Sequence, residues 1–251
     1  MKVIVLASGS KGNVTYLEYK NTKILIDLGM PKKYVEDKLK EIDIKPEDIN
    51  AILISHTHSD HIKGLKGFVK SYNTSIYITN KMLKDIEKDI PIENINYFQN
   101  TNQINDISIE IIKTSHDTSD SVGFIINDEI VHITDTGYLN AKYYPILENK
   151  KAYFFESNHD IEMLMKGKYP YYLRQRVAGV SGHLSNNDSS SHLSKLVGDN
   201  TKVVTLCHLS EENNTEEKAL NSLLEALEKH NKNIDKVIIA KQNEKTDLIE
   251  V

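Results

Sequence analysis

Cysteine and arginine are scarce in this sequence. Cys207 is the only cysteine, and two of the 31 basic residues are arginine. A chain with one cysteine cannot close an internal disulfide or build a zinc module from several thiolates. Any metal site must therefore consist of histidine, aspartate and glutamate side chains. The cysteine content also agrees with a reducing compartment, so we predict a cytoplasmic protein.

Long apolar runs are absent as well. The longest uncharged apolar runs, residues 3–7 and 51–54, are far shorter than the roughly 20 residues that a membrane-spanning helix needs. The first run follows Lys2 and leads into a polar stretch with glycine, which is typical of an opening strand and not of a secretion signal. We therefore predict no membrane partner.

Strand and helix patterns alternate along the whole chain, and no linker rich in proline or glycine interrupts them. This alternation predicts one mixed α/β domain over residues 1–251, with two sheets covered by helices. The clearest helix is predicted over residues 215–230, with Asn214 and Glu217 placed for a capping box.

The end of the sequence contains two more strand patterns. They cover residues 236–240 and 247–251, and we predict that these two strands close the chain.

Histidine is concentrated in one short stretch that follows an apolar strand. It contains His56, His58, Asp60 and His61, three imidazoles and one carboxylate within six residues. His56 and His58 can reach one metal ion from an extended turn, whereas the other two, at the start of the next helix, are displaced toward a second. A solvated turn without function is the alternative, but this density of ligands favours a metal site.

The spacing His-x-His-x-Asp-His after a hydrophobic strand resembles the signature of the metallo-β-lactamase superfamily. The resemblance implies a four-layer αββα sandwich with a one- or two-metal site at the edges of its sheets. It also implies three later ligands at strand ends, and His116, Asp135 and His208 fit in order. The implied set has one ion on His56, His58 and His116, a second on Asp60, His61 and His208, and Asp135 between them.

We therefore expect two divalent ions as cofactors. Histidine and aspartate ligands favour zinc, while manganese and iron remain open. Two such ions would catalyse hydrolysis, because they activate a water and stabilise the leaving oxyanion.

Further segments extend the resemblance over nearly the whole chain. Residues 7–13, 156–160, 182–186 and 208–214 are similar to the YycJ branch, also called WalJ, of this superfamily. That branch is associated with DNA exonuclease activity. The resemblance thus implies a phosphodiesterase that acts on nucleic acid, with DNA favoured over RNA.

Three residues receive catalytic roles. We expect Asp60 to accept a hydrogen bond from the attacking water. By similarity to the nucleases that process transfer-RNA 3′ ends, His183 would protonate the leaving oxygen and Glu156 would orient His183.

The two arginines lie together among tyrosines. Arg174 and Arg176 follow Tyr169, Tyr171 and Tyr172. An arginine fork can bind a phosphate through two hydrogen bonds, and a tyrosine ring can stack on a base. We therefore expect this segment to contact nucleic acid, with chance placement or a structural loop as the alternatives.

The net charge of −5 at first argues weakly against nucleic acid, because it offers no broad basic surface. Two divalent cations would change the sum to about −5 + 4 = −1 and concentrate positive charge at one place. We therefore expect a short, metal-dependent contact with the substrate. Asn186 and Asn213, which lie in the segments of the resemblance, are further candidates for it.

Two other functions remain open. The same ligands would suit a hydrolase of small esters, thioesters or cyclic phosphodiesters. A metal-binding regulatory protein without turnover is less favoured. Such a protein would lack one or more of the metal ligands, whereas the set in this sequence is complete.

Overall fold

The structure of the chain is a computed structural model that describes residues 1–86 and 88–251. Its strands are, in chain order, β1 (Lys2–Ala7), β2 (Val14–Tyr19), β3 (Thr22–Ile26), β4 (Ala51–Leu53), β5 (Ser75–Ile78), β6 (Ile95–Tyr97), β7 (Thr101–Ile104), β8 (Ile107–Lys113), β9 (Val122–Ile126), β10 (Ile130–Ile133), β11 (Ala152–Glu156), β12 (Val203–Cys207), β13 (Lys236–Ile239) and β14 (Ile249–Glu250).

The α-helices are α1 (Lys32–Lys40), α2 (Ser59–Ile62), α3 (Leu65–Tyr72), α4 (Leu83–Ile86), α5 (Tyr144–Leu147), α6 (Ile161–Lys166), α7 (Tyr171–Val177), α8 (Asn186–Leu196) and α9 (Glu216–Lys229). Short 3-10 helices occupy Pro46–Asp48, Ile92–Asn94 and Ala141–Tyr143.

Within the described residues the strands form two seven-stranded sheets, with the orders β14-β1-β2-β3-β4-β5-β6 and β13-β12-β11-β10-β9-β8-β7. Both sheets are mixed: β1 to β3 are antiparallel and β3 to β6 parallel, while β9 and β10 are antiparallel and β10 to β13 parallel. Parallel neighbours need crossover connections, which the helices supply. The predicted mixed α/β class with two sheets is confirmed.

Two compact units can be distinguished along the chain. Unit 1 comprises Met1–Ile111, Thr118–Val122 and Lys241–Val251, and unit 2 comprises Ile112–Asp117 and Gly123–Ala240. Each unit is assembled from stretches that are separated in sequence. One domain over residues 1–251 stays a prediction.

In unit 1 the core follows the parallel strands. Every residue of β4 is fully buried, as is Ile54 directly after it. A strand covered on both faces is apolar throughout, because neither face meets water. The histidine-rich stretch that follows is therefore attached to a strand that is fixed in the core.

In unit 2 the core lies between β10 to β13 and the helices α8 and α9. Tyr153 and Phe155 of β11 join Leu193 of α8 and Leu223 of α9 in one cluster of buried side chains. Because side chains alternate along a strand, Glu156 at the end of β11 faces the opposite way from Phe155.

One prediction about the last third of the chain is wrong in detail. The cap of α9 is Thr215 and not Asn214, because Thr215 Oγ1 accepts a hydrogen bond of 3.1 Å from the main-chain N of Lys218. The two strands predicted at the end of the chain are present: β13 pairs with β12, and β14 pairs with β1.

The helices of residues 1–86 and 88–251 include none that is long and apolar enough to cross a membrane.

Candidate active site

The histidine-rich stretch of unit 1 joins the end of β4 to α2. The ring centre of His56 lies 4.9 Å from that of His58 and 4.0 Å from that of His61. Nε2 of His61 lies 3.6 Å from a carboxylate oxygen of Asp60. The four ligands predicted in this stretch therefore form one group in unit 1.

Asp27, directly after β3, anchors this group. Its Oδ2 lies 2.8 Å from Nδ1 of His61 and accepts a hydrogen bond of 2.7 Å from Ser55 Oγ, while its Oδ1 accepts one of 2.8 Å from Ser55 N. Since the carboxylate can only accept, Nδ1 of His61 carries the proton and Nε2 has the lone pair. The sequence analysis missed Asp27, although an aspartate at the end of an apolar strand is the same signal that identified Asp135.

Close main-chain packing fixes α2 in the same unit. The main-chain N of Asn13 donates to Asp60 O at 2.8 Å, and the side-chain amide of Asn13 lies 3.0 Å from Nε2 of His61. A Cβ at Gly29 would lie 1.6 Å from Asp60 O, so only glycine fits there. The start of α2, with Asp60 and His61, is therefore held by the strands on which it packs.

The second group of predicted site residues lies in unit 2. Asp135 Oδ1 is 3.3 Å from Nδ1 of His208 and 3.9 Å from Nε2 of His116. Nδ1 of His116 lies 2.9 Å from the carbonyl oxygen of Gly182 and donates to it. Burial lowers the pKa of His116, and the charge of Asp135 only partly opposes this. The structure therefore brings together the three ligands predicted at strand ends.

Asp135 and His208 both have left-handed backbone conformations. Their φ angles are 53° and 56°. Asp135 follows β10 by two residues, and His208 directly follows β12. Residues other than glycine adopt this conformation at a cost in free energy, and residues strained in this way cluster at functional sites. The left-handed conformation changes the direction of the backbone just after each strand ends, and with it the direction of the side chain.

Glu156 is the buried centre of unit 2's polar group. One oxygen, Oε1, lies 2.7 Å from Nδ1 of His183 and 3.1 Å from Nδ1 of His208. The other accepts main-chain hydrogen bonds from Thr136 N at 2.9 Å and Leu184 N at 3.1 Å. Burial alone would raise the pKa of Glu156, but the charge of His183 and the hydrogen bonds from both histidines lower it to about 2. Glu156 is thus an ionised carboxylate with both oxygens engaged.

His183 reaches solvent from this buried setting. Its side chain is 20% exposed, whereas those of His116 and His208 are 2% exposed. It lies just before α8, whose cap is Ser185. The contact with Glu156 matches the predicted orienting role, and the exposed edge of the ring can meet a ligand.

A buried amide network holds the loop that carries His208. The side-chain N of Asn158 donates to His208 O at 2.9 Å. The side-chain N of Asn214 donates to Ser157 O at 2.9 Å and to Asn158 O at 3.0 Å. Both amides lie in segments that carry the family resemblance, but the network itself was not predicted, because the sequence does not show which carbonyl oxygens they meet.

The positions of Asn186 and Asn213 give their predicted substrate contact no support. Both residues are 1% exposed. The side-chain O of Asn186 accepts a hydrogen bond of 2.7 Å from Ser157 Oγ, and its side-chain N donates to Asn214 at 2.8 Å. A Cβ at Gly167 would lie 2.6 Å from the side-chain O of Asn213. Both amides therefore pack inside unit 2.

The two arginines are tied to other groups of unit 2. Arg176 Nε donates to Asp117 Oδ2, and Arg174 Nη1 donates to the carbonyl oxygen of Met165. Asp117 follows His116 directly. Arg176 thus holds α7 next to the loop of a predicted metal ligand, and Arg174 ties α7 to the end of α6.

Comparison with known proteins identifies the family of this chain. Residues 7–144 match the family model described as the metallo-beta-lactamase superfamily. The chain is 39% identical over 228 residues to the protein named Exodeoxyribonuclease WalJ of Streptococcus pneumoniae serotype 2 (strain D39 / NCTC 7466), which covers 87% of this chain and 85% of that protein. It is 34% identical over 232 residues to Exodeoxyribonuclease YycJ of Bacillus anthracis, covering 89% and 88%.

A solved structure supports the fold. The metallo-beta-lactamase fold protein YhfI of Bacillus subtilis superposes with a TM-score of 0.75 and 16% identity, over 98% of this chain and 99% of that protein. The predicted metallo-β-lactamase fold is confirmed by these matches. The chain therefore belongs to the metallo-β-lactamase superfamily and, within it, to the YycJ (WalJ) family.

Proposed function

We propose that this chain is a metal-dependent exodeoxyribonuclease, which hydrolyses phosphodiester bonds of DNA. Membership of the YycJ (WalJ) family supports a hydrolytic enzyme of the nuclease type. DNA is the polymer that the names of the two curated relatives specify, and each relative matches at least 87% of this chain.

Two divalent cations are the proposed cofactors, held by the seven predicted ligands. His56, His58 and His116 would hold one cation, Asp60, His61 and His208 would hold the second, and Asp135 would be the seventh ligand. Zinc is the proposed metal because it prefers imidazole and carboxylate donors, although manganese and iron accept the same set.

The hydrogen bonds of two histidines fit metal binding. Nδ1 of His61 lies 2.8 Å from Oδ2 of Asp27, and Nδ1 of His116 lies 2.9 Å from the carbonyl oxygen of Gly182. A histidine that donates from one ring nitrogen to an oxygen presents the other to a metal with its ring fixed. Bound divalent cations would polarise the phosphate and lower the pKa of a water.

The contact between Glu156 and His183 supports His183 as the proton donor. The buried carboxylate engages Nδ1 of His183 at 2.7 Å and so fixes the ring in the orientation that a general acid needs. With Nδ1 of His183 directed at Glu156, the other nitrogen, Nε2, is the one that donates to the leaving oxygen. Asp60 accepts a hydrogen bond from the attacking water and so orients it.

Cleavage of labelled duplex DNA by the purified protein tests the proposal. Asp60→Asn removes a carboxylate charge with little change in size, and we expect it to abolish cleavage and reduce the bound metal. Asp37→Asn is the control, because Asp37 is an exposed residue of α1 that pairs with Lys33. Undiminished cleavage by Asp60→Asn would refute the site.

A substrate panel separates the proposal from its alternative. Duplex DNA, single-stranded DNA, RNA, a model phosphodiester and a thioester are offered with zinc and with manganese. Turnover of DNA well above that of the small esters supports the nuclease. Turnover of the thioester or the model phosphodiester without DNA cleavage would replace it with a small-molecule hydrolase.

The cytoplasm is the proposed location. Cys207 is buried at the end of β12, and with one cysteine the fold depends on no internal disulfide. Cell fractionation with an antibody to the chain tests this, and recovery from culture medium would contradict it.

A further inference from the structure

Two tyrosine rings at the start of α7 are exposed to solvent. Tyr171 is 70% exposed and Tyr172 is 73% exposed. Among the described residues, neither ring takes part in a hydrogen bond or packs on another aromatic ring. Tyrosine normally buries most of its ring and keeps only its hydroxyl in water. Two adjacent rings held in water are therefore available to a ligand.

The surrounding segment is basic although the chain is acidic. Residues 161–182 contain four basic residues and one acidic residue, a net charge of +3 against −5 for the whole chain. Lys166 pairs with the acidic residue, Glu162. Lys168 is exposed, and no ion pair engages it in the part of the chain that the structure describes. A polyanion that presents flat rings complements this combination of charge and aromatic surface.

The segment is also fixed to the proposed catalytic residues within unit 2. Arg176 Nε donates to Asp117, the neighbour of His116. The main-chain N of His183 donates to Val177 O at 2.9 Å. Tyr172 and Val177 are five residues apart on α7, about 8 Å along the helix axis, which is the length of roughly two stacked bases.

We propose that Tyr171 and Tyr172 form a stacking platform for unpaired bases at the end of the DNA substrate, with Lys168 contacting the phosphates. This inference rests on the proposed nuclease function and names the form of DNA that the site receives. Bases in a duplex stack on one another, so their faces reach a protein ring only where the strand is unpaired. The arginines hold the platform in place, and the tyrosines make the contact.

The test compares hydrolysis of three substrates by the full-length, metal-loaded protein. They are a duplex with a single-stranded overhang, the blunt duplex of the same sequence, and a model phosphodiester without bases. For the double variant Tyr171→Ala, Tyr172→Ala, we expect the KM for the overhang substrate to rise about ten-fold or more. Turnover of the model phosphodiester stays unchanged.

The matched control is the double variant Tyr171→Phe, Tyr172→Phe. It keeps both rings and removes only the hydroxyls, so we expect it to retain the KM of the original chain. The same unfolding midpoint in all three proteins shows that the effect is not a loss of folding.

Three results would overturn the platform. One is an unchanged KM for the overhang substrate in the alanine variant. Another is an equal rise for the blunt duplex, which would mean that the rings contact the backbone of paired DNA. The third is a change of oligomeric state in the alanine variant, which would mean that the rings cover a second copy of the chain. If the unaltered protein cleaves neither DNA nor the model phosphodiester, the proposed function fails instead.

Discussion

Glu156 lies 2.7 Å from Nδ1 of His183, although Glu156 is fully buried and the side chain of His183 is 20% exposed. One end of the imidazole is thus fixed inside the protein and the other faces the solvent. The main-chain hydrogen bonds from Thr136 and Leu184 fix the carboxylate in turn. The rigid interior therefore fixes the orientation of the proposed proton donor and places a negative charge beside it.

Glu156→Gln should separate charge from shape at this contact. The amide fills the same space but carries no charge, so it accepts the hydrogen bond from Nδ1 of His183 less strongly and orients the ring less well. We expect kcat for DNA to fall about 100-fold with a small change in KM. Steady-state kinetics on labelled DNA measures both values.

Glu129→Gln serves as the control for that variant, because Glu129 forms a partly exposed ion pair with Lys151. Equal losses in the two variants, or a rise in KM alone for Glu156→Gln, would contradict the role of Glu156.

Asp27→Asn should weaken metal binding, although it replaces none of the proposed ligands. The amide cannot accept the hydrogen bond from His61 as strongly and loses the charge that fixes Nδ1 as the donor. We expect metal affinity to fall by about 10- to 100-fold. Competition with a chromophoric chelator measures the affinity.

A parallel titration of Asp106→Asn is the control, since Asp106 lies in a turn of unit 1 beside Thr22 and Lys20. Unaltered affinity in Asp27→Asn would mean that His61 needs no carboxylate partner.

Asn214→Ala should destabilise the fold by about 2 kcal/mol, within the usual range for lost buried hydrogen bonds. The substitution removes the donor to the carbonyl oxygens of Ser157 and Asn158 and leaves them buried. Urea unfolding monitored by circular dichroism gives the free energy. Asn233→Ala, at an exposed position, should change it by less than about 0.5 kcal/mol. Similar values for the two variants would show that water replaces the amide.

His159 should make the protein less stable in acid. Burial lowers the pKa of His159 to about 4, and nearby carboxylates only partly oppose this. In the unfolded chain a histidine has a pKa of about 6.5, so between these values the unfolded state binds the extra proton. The stabilisation is complete above about pH 6.5 and is lost as the pH falls toward 4.

The variant His159→Gln isolates this contribution. Between pH 7 and pH 4, the unaltered protein should lose more unfolding free energy than the variant, by about 3 kcal/mol. Urea titrations at several pH values supply the comparison. Parallel losses in both proteins would mean that His159 titrates alike in the folded and unfolded chains.

The sequence predicts those parts of the site that depend on residue type and spacing. His56, His58, Asp60 and His61 are recognisable because four ligands in six residues are rare outside a metal site. Strand alternation likewise predicts the mixed α/β class, because apolar runs and helical periods are local properties of the chain. These features need no knowledge of which distant residues meet.

Other features depend on contacts that the sequence does not reveal. Asparagine is at least as good a helix cap as threonine, yet Thr215 caps α9 because Asn214 is engaged with Ser157 and Asn158. Nε of Arg176 donates to Asp117, 59 residues away in sequence, and nothing in the sequence indicates that these two residues meet. Burial and competition between partners decide such cases.

The left-handed backbone conformation at Asp135 and His208 lowers the stability of the fold at two residues that the proposed activity requires. Glycine adopts this conformation freely, so glycine at either position would relieve about 1 kcal/mol of backbone strain. The same change would delete a proposed ligand. Selection for a more stable chain and selection for an active one therefore act in opposite directions at these two residues. An engineered, thermostable version of the protein must gain its stability elsewhere.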